Sequence, residues 1–340
     1  MAGIRFIDIV TDAEEVTQVT GLRAFVKRLC NNSLAHICGI AEWPFLWTTD
    51  WFQTVAEYTT GTVSVTNGSA TVTGTSTVFT SAMVGRKIRI GSDTAYYYVK
   101  SVESSTSLTL GIAGGLDQPY QGSTNTAATY SLYKDEYFLR ADLDVQKRIR
   151  NSDNGYALFS LSPTEFDDWY PGQTGMGSPA VDVYVGRAVR TYTTGTVTMS
   201  ASSRTLTGSS TDWTGAAAEG ITKGTKLKIG TSLFTVNTLD STTQITTYEL
   251  SSAAVSAGSS YTALLENAIA KLASNPSTIQ TFYYRFQRIP AVLDADNDLP
   301  DIPYPMHPLI GLFMLPTLWR HKGFIDRAIE SQAAAEKEFA

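Results

Sequence analysis

One short acidic run in this sequence has the spacing of a metal site. The run DADND, Asp294–Asp298, has the alternating acids with which a calcium-binding loop begins. Such a loop also needs Gly at its sixth position and a bidentate Glu at its twelfth. Leu299 and Pro305 stand at those positions. We therefore interpret the run as an acidic turn.

Histidine and glycine patterns give no stronger indication of chemistry. His36, His307 and His321 have no Cys, His or acidic neighbour at metal-ligand spacing, so we expect each to be structural. The glycine run GQTGMG, Gly172–Gly177, lacks the strand-to-helix context of a phosphate-binding loop. No nucleophile motif and no pair of carboxylates stands out. The sequence therefore predicts a protein without enzymatic activity, cofactor or metal.

Composition indicates a globular chain rather than a general nucleic-acid binder. Of the 340 residues, 43% are hydrophobic and 17% are charged, with a formal net charge of −6. Neutralising phosphates requires clustered Lys and Arg, and we identify no such cluster in the sequence. The most apolar stretch, Pro308–Trp319, is too short to cross a bilayer, and Met1–Val10 lacks the apolar run of a signal peptide.

The two cysteines lie on one predicted helix, which places them too far apart for a disulfide. Cys30 and Cys38 are eight residues apart, a separation of about 12 Å along a helix. We expect both to be reduced core residues, which fits assembly in the cytoplasm.

One hexamer, YTTGTV, occurs at Tyr58–Val63 and again at Tyr192–Val197. The similarity continues through three further blocks in the same order, and hydrophobic residues alternate with Thr and Ser through both copies. This period of two is typical of half-buried antiparallel strands. Both stretches also hold few charged residues. We therefore predict two duplicated β modules, the first β module (58–133) and the second β module (192–264).

The segments outside the repeats predict a host with helices and strands. TDAE at Thr11–Glu14 has the spacing of a capping box. A helix follows, with an apolar stripe that reaches Ile40. We expect a helix over Ala263–Ser274, a long strand from Thr281, and helices over Pro308–Arg320, kinked or divided at Pro316, and Phe324–Phe339.

These elements predict an α+β fold. A discontinuous helical host domain with a small antiparallel sheet (1–57, 134–191 and 265–340) carries two duplicated all-β insertion domains, each a small sandwich or barrel.

Two groups of host residues are candidates for partner contacts. Arg23, Lys27 and Arg28 fall on the polar face of the first long helix, which is either solvated or a partner surface. The aromatic cluster with Trp43, Phe45 and Trp47 is either core or a subunit-interface anchor.

The host segments resemble the head-to-tail adaptor proteins of tailed bacteriophages, also called connector or tail tubular proteins. The similarity lies in LRAFVKRLCNNSLAHICGIAEWPFL, EYFLRADL, EFDDWYPGQ…GSPAVDVYVG and FYYRFQRIPAVLDADNDLPDIPYPMHPLIGLFML, followed by an acidic amphipathic helix. Family members often carry LP.D where this sequence has LRAD, Leu139–Asp142. Similar Thr/Gly-rich units occur as insertions in phage tail proteins.

The resemblance implies a virion structural protein of the neck or tail, assembled in the cytoplasm of the bacterial host. It would form a homo-oligomeric ring of twelve copies that docks under the portal protein. The β modules would meet tail nozzle or fibre proteins. The ring would line the channel of the passing DNA without sequence-specific contact. No membrane is involved. Phe324, Ile325 and Phe339 of the last helix are interface candidates, and Phe339 either inserts into a neighbouring subunit or lies in solvent.

An alternative is a phage tail adhesin that binds glycans through the β modules. In that case Tyr96, Tyr98 and Tyr120 are the candidate residues for stacking on sugars.

Overall fold

A computed structural model describes residues 4–18, 21–112, 115–152, 155–170, 182–187, 189–214, 220–274 and 278–339. The predicted glycine run Gly172–Gly177 lies outside the described residues. The structure is a mixed α+β fold with helices at both ends of the chain and mostly antiparallel sheets between them. No helix in the described ranges is both long and apolar enough to span a bilayer.

The described helices and strands follow one another along the chain with these bounds. They are α1 (Phe6–Thr17), α2 (Arg23–Ile40), β1 (Trp47–Gln53), β2 (Thr62–Val65), β3 (Thr71–Thr75), β4 (Lys87–Ile90), β5 (Tyr97–Ser104), β6 (Ser107–Leu110), β7 (Asn125–Ala128), β8 (Tyr130–Tyr133), β9 (Glu136–Phe138), β10 (Leu143–Asn151), β11 (Phe159–Leu161), α3 (Pro163–Trp169), β12 (Asp182–Arg187), β13 (Arg190–Tyr192), β14 (Thr196–Met199), β15 (Thr205–Ser209), β16 (Lys226–Ile229), β17 (Ser232–Ser241), β18 (Gln244–Thr247), β19 (Val255–Ser259), β20 (Thr262–Leu265), β21 (Ala268–Leu272), β22 (Thr281–Arg288), α4 (His307–His321) and α5 (Ile325–Phe339).

Helices α1, α2 and α4 bury their apolar faces against one another around one core. Val26, Leu34 and Ile37 of α2 are fully or almost fully buried there, beside Ile310 and Met314 of α4. The thiols of Cys30 and Cys38 are free and belong to the same core, and burial raises the pKa of each to about 12. Apolar packing of this kind supplies most of the stability of helices of this length.

Three details of the helices differ from the prediction. Thr11–Glu14 lies inside α1, which begins at Phe6, and at the true start of the helix the carboxylate of Asp8 accepts the backbone N–H of Arg5 at 3.1 Å. Ile40 is 45% exposed because α2 ends there. Pro316 does not divide α4. Proline removes one backbone hydrogen bond from a helix, and the packing of α4 against α1, α2 and α5 holds the helix together around it.

The central sheet takes one strand from each of the three host segments. Strand β22 pairs antiparallel with β1 on one side and with β10 on the other. Phe282, Tyr284 and Phe286 point into a second core, as the alternation of this strand predicts. The host therefore contains helices around one core and sheets around another.

A second host sheet has the order β11-β12-β21-β9. Its β11 and β12 run parallel, so this sheet is mixed rather than antiparallel, and α3 lies in the connection that parallel strands require. The predicted helix over Ala263–Ser274 is wrong. That segment forms β20 and β21, and the side chain of Asn267 between them donates a hydrogen bond to the carbonyl oxygen of Leu139 at 2.8 Å.

The two β modules have the same strand order. In the first β module the order is β7-β2-β3-β6-β5-β4-β8, and in the second it is β19-β14-β15-β18-β17-β16-β20, with β13 added at the end. Each sheet bends around its own core of buried residues. The bend falls at a bulge in the long strand, near Val99 in β5 and Val236 in β17. The residues before this point pair with β4 or β16, and the residues after it pair with β6 or β18.

Polar anchors are also repeated between the modules. The hydroxyl of Tyr130 donates to the carbonyl oxygen of Thr60 at 2.6 Å, and that of Tyr261 donates to Thr194 at 2.9 Å. Each module closes where the start of its segment pairs with its last strand. In the first, Tyr58 and Leu132 exchange two backbone hydrogen bonds of 2.9 and 3.0 Å.

Gly195 provides a test of the close packing at the start of the second β module. Its φ is +82°, and a Cβ at this position would lie 2.5 Å from the carbonyl oxygen of Ser209. We predict that Gly195→Ala lowers the free energy of unfolding by about 2–5 kcal/mol, from left-handed strain plus overpacking. Urea unfolding followed by circular dichroism measures the change.

Gly258→Ala is the matched control. Gly258 has φ +84° in the same module but no heavy atom within 4 Å of the added Cβ, so we expect only the strain, about 1–2 kcal/mol. Equal losses in the two variants would contradict the packing argument.

Candidate interaction surfaces

The three cations predicted on the polar face of α2 all make contacts within the chain. The Nζ of Lys27 lies 2.8 Å from Asp296 Oδ1 and 5.2 Å from the ring centre of Phe6. This hydrogen bond from Lys27 holds the pKa of Asp296 below its usual value. Arg23 is 4.0 Å from Glu14, and Arg28 lies over the ring of Phe25. Lys27 thus ties α2 to the acidic turn.

The acidic turn itself connects the helices to the second β module. The carboxylate of Asp298 accepts hydrogen bonds from the backbone N–H groups of Asp294 and Ala295, and it pairs with Arg204 at 2.9 Å. Asp294 accepts the N–H of Leu250 at 2.8 Å. These carboxylates therefore hold the turn together and fasten it to two loops of the second β module.

The aromatic candidates separate into two groups. Trp43 and Phe45 stack at 5.5 Å between ring centres, and both are half-buried against the helical core. The indole N–H of Trp43 donates to the carbonyl oxygen of Ile37 at 2.8 Å. Trp47 begins β1 and lies under the Nζ of Lys147 at 5.7 Å. The first two residues close the end of α2, whereas Trp47 lines an open cleft.

The tyrosines predicted on the surface of the first β module pack around a buried ion pair. Lys87 is fully buried, and its Nζ lies 2.6 Å from Asp135 Oδ2 and 4.3 Å from the ring centre of Tyr96. The ring centre of Tyr98 lies 5.6 Å from the same Nζ, and burial raises the pKa of the Tyr98 hydroxyl. Both rings are half-buried.

Tyr120 is not a surface residue. It is 3% exposed, and its hydroxyl lies 2.6 Å from Asp93 Oδ2. Burial, together with this hydrogen bond, raises its pKa to about 12. Its prediction as a stacking residue is wrong because the alternation of polar and apolar residues does not extend into the loop that carries it.

The exposed face of the central sheet carries a cluster of cations that the sequence analysis missed. Arg285 in β22 stands directly opposite Arg148 in β10, and Tyr283 stands opposite Arg150. On the other side, Trp51 of β1 is the partner of Tyr283. Tyr283 and the three arginines line a cleft of about 760 Å³, which we call the basic cleft, and Trp51 lies beside Tyr283 on the same sheet face.

The charges in the basic cleft are mostly not neutralised. Lys147 pairs with Glu42. Arg148, Arg150 and Arg285 are exposed and make no ion pair with any residue that the structure describes. The prediction that no basic cluster exists is therefore wrong. The run QKRIR, residues 146–150, was its only local sign, because Arg285 joins it from 135 positions further along the chain.

The helices carry two apolar surfaces that share no residues. One is a groove of about 360 Å³ between α1 and α4, lined by apolar side chains including Ile9, Val16 and Leu312, which we call the helix groove. The other is the α5 face, formed by Phe324, Ile325 and Ile329, which are 49%, 59% and 59% exposed. The side chain of Phe339 lies outside the described residues.

The helix groove is also lined by a buried histidine, one nitrogen of which has no hydrogen-bond partner in the described part of the chain. The Nε2 of His307 lies 3.0 Å from the carbonyl oxygen of Ile302, which makes Nε2 the protonated nitrogen. The other ring nitrogen, Nδ1, is then an acceptor and has no hydrogen-bond partner among the residues that the structure describes. His307 is only 3% exposed.

No protein-family model and no curated protein matches this sequence. The arrangement of these surfaces is therefore the basis for a functional proposal.

The buried pair of Lys87 and Asp135 provides a stability test. We predict that Asp135→Asn lowers the free energy of unfolding by about 3–5 kcal/mol, because it leaves a buried ammonium without its counter-charge. The double variant Lys87→Met/Asp135→Leu removes both charges and should lose much less. Urea unfolding measures both variants.

The exposed pair of Lys100 and Asp117, also 2.6 Å apart in the first β module, is the control. Asp117→Asn should cost less than about 1 kcal/mol. If Asp135→Asn costs no more than Asp117→Asn, the ion pair does not anchor the module.

Proposed function

We propose that this chain is a head-to-tail adaptor of a tailed bacteriophage, a structural protein of the virion without enzymatic activity. The observation that carries the proposal is the presence of two different apolar surfaces on the helices, the helix groove and the α5 face. A ring is built from heterologous contacts, in which one face of each subunit meets a different face of the next. The chain offers such a pair of faces.

The finer parts of the proposal follow the resemblance of the host segments. The ring has twelve copies that match the portal, and the β modules are inserted domains that meet nozzle or fibre proteins. The common strand order and the repeated tyrosine anchors support an origin of the two modules by duplication. The adaptor would reside in the neck or tail of the virion after assembly in the host cytoplasm.

The central sheet supports treating the three host segments as one body. Its strands β1, β10 and β22 come from the first, middle and last segment. A β module that leaves and rejoins such a body must start and finish at adjacent points, since closing a distant gap costs conformational entropy. The hydrogen bonds between Tyr58 and Leu132 meet that requirement.

The alternative of a glycan-binding adhesin loses its support. Tyr120 is buried, and the rings of Tyr96 and Tyr98 pack around the buried amine of Lys87. We therefore do not propose it.

Ring formation is tested on the isolated chain. Native mass spectrometry and negative-stain electron microscopy at rising protein concentration should show rings of about twelve copies. The variant Ile325→Asp/Ile329→Asp places two charges on the α5 face and should remain monomeric, because an interface core excludes unpaired charges. Both side chains are 59% exposed, so the fold should be retained.

Ala334→Asp is the matched control. Ala334 is exposed, and nine helical residues place it about 180° around α5 from Ile325. This variant should assemble like the unaltered chain. An unaltered chain that stays monomeric at every concentration, or a double variant that still forms rings, would argue against these faces as the ring contacts.

A further inference from the structure

The basic cleft holds three cations at a place where they repel one another. Arg148 and Arg285 are directly opposite on neighbouring strands, and like charges in such pairs are destabilising. Arg150 is two residues further along β10, about 7 Å from Arg148 on the same face. The chain as a whole carries a net charge of −6. A cluster of this kind, unpaired within the described residues, is suited to an anionic ligand.

Exposed aromatic rings continue the same surface. Trp51 and Tyr283 are neighbours across β1 and β22 and are 54% and 47% exposed. Tyr283 in turn stands beside Arg150. One row across the sheet therefore reads Trp51, Tyr283, Arg150, and the next reads Thr49, Arg285, Arg148. Each aromatic ring is therefore a neighbour of a guanidinium group in the same row or in the next row of the sheet.

The helices pack over one end of the same sheet face. Gln287, two positions after Arg285 on β22, is buried and donates to the backbone oxygens of Cys38 and Ala41 at the end of α2. The helical part thus covers the end of the sheet face next to Arg285. Glu42, just after α2, pairs with Lys147 of β10.

We propose that the basic cleft binds single-stranded nucleic acid. Each nucleotide carries one phosphate and one base, which matches the combination of arginines with flat aromatic rings. Unpaired bases stack on aromatic side chains, whereas the bases of a duplex are stacked on each other. An acidic peptide would satisfy the arginines but offers no regular series of flat rings to Trp51 and Tyr283.

This inference concerns one chain and does not depend on the ring. A chain that binds the oligonucleotide but never assembles would overturn the adaptor proposal alone, and a ring without this affinity would overturn the present one alone.

Fluorescence anisotropy with a labelled oligothymidylate of about 12 nucleotides tests the proposal on the full chain. We expect a Kd of about 10⁻⁴ to 10⁻⁶ M near physiological salt, weakening steeply as salt rises. Arg148→Gln/Arg285→Gln should weaken binding about tenfold or more and make the slope of log K against log salt shallower by about 1.4, for two lost phosphate contacts.

The matched control is Lys228→Gln/Lys337→Gln, which removes two exposed cations from the second β module and from α5. It should leave affinity and slope unchanged. Trp51→Ala should weaken binding about tenfold through the loss of base stacking, and Trp51→Phe should retain most of the affinity. Circular dichroism and thermal unfolding verify that each variant is folded.

Three results would overturn the proposal. The first is a lack of binding at low salt. The second is equal or tighter binding of a duplex of the same length, with no effect of Trp51→Ala, which would indicate recognition of the duplex backbone. The third is competition by polyglutamate as effective as that by unlabelled oligothymidylate, which would indicate an acidic protein partner.

Discussion

The pairing of β22 with strands on both of its sides is the interaction on which the rest of this structure depends. The strand satisfies its backbone groups through β1 and β10, which come from segments far away in the chain. One of its faces supplies Phe282, Tyr284 and Phe286 to the core, and the other carries Tyr283 and Arg285 to the basic cleft. Since side chains alternate strictly along a strand, shifting β22 by one residue would bury the arginine and expose the core.

Much of the architecture could be predicted because local sequence patterns determine it. The alternation in β22 identifies its buried face, and the ordered blocks of the repeat indicate two modules that would fold alike. The strands β20 and β21 were missed because alanines and a short length resemble a helix, and pairing with distant strands decided the outcome. The predicted cap at Thr11 is wrong because the helix begins earlier, at Phe6. The burial of Phe6 and Ile9 in a core of distant residues decides where the helix begins.

The candidate surfaces were less predictable than the fold. Lys27 looks like a solvated charge in the sequence, yet the acidic turn reaches it from 269 residues away. The basic cleft depends on the register that sets Arg285 against Arg148, and a register between distant strands cannot be inferred from either strand alone. Charges that the fold neutralises and charges that it leaves unpaired look the same in a sequence, so the contrast between Lys27 and Arg285 emerges only in three dimensions.

The hydrogen bonds between Tyr58 and Leu132 also have an evolutionary consequence. Because the 73 residues between them leave and return at one point, a gene could gain, lose or exchange that stretch by recombination while the remaining polypeptide keeps its own contacts. Such a stretch is a self-contained unit of variation, because its replacement leaves the rest of the chain unchanged.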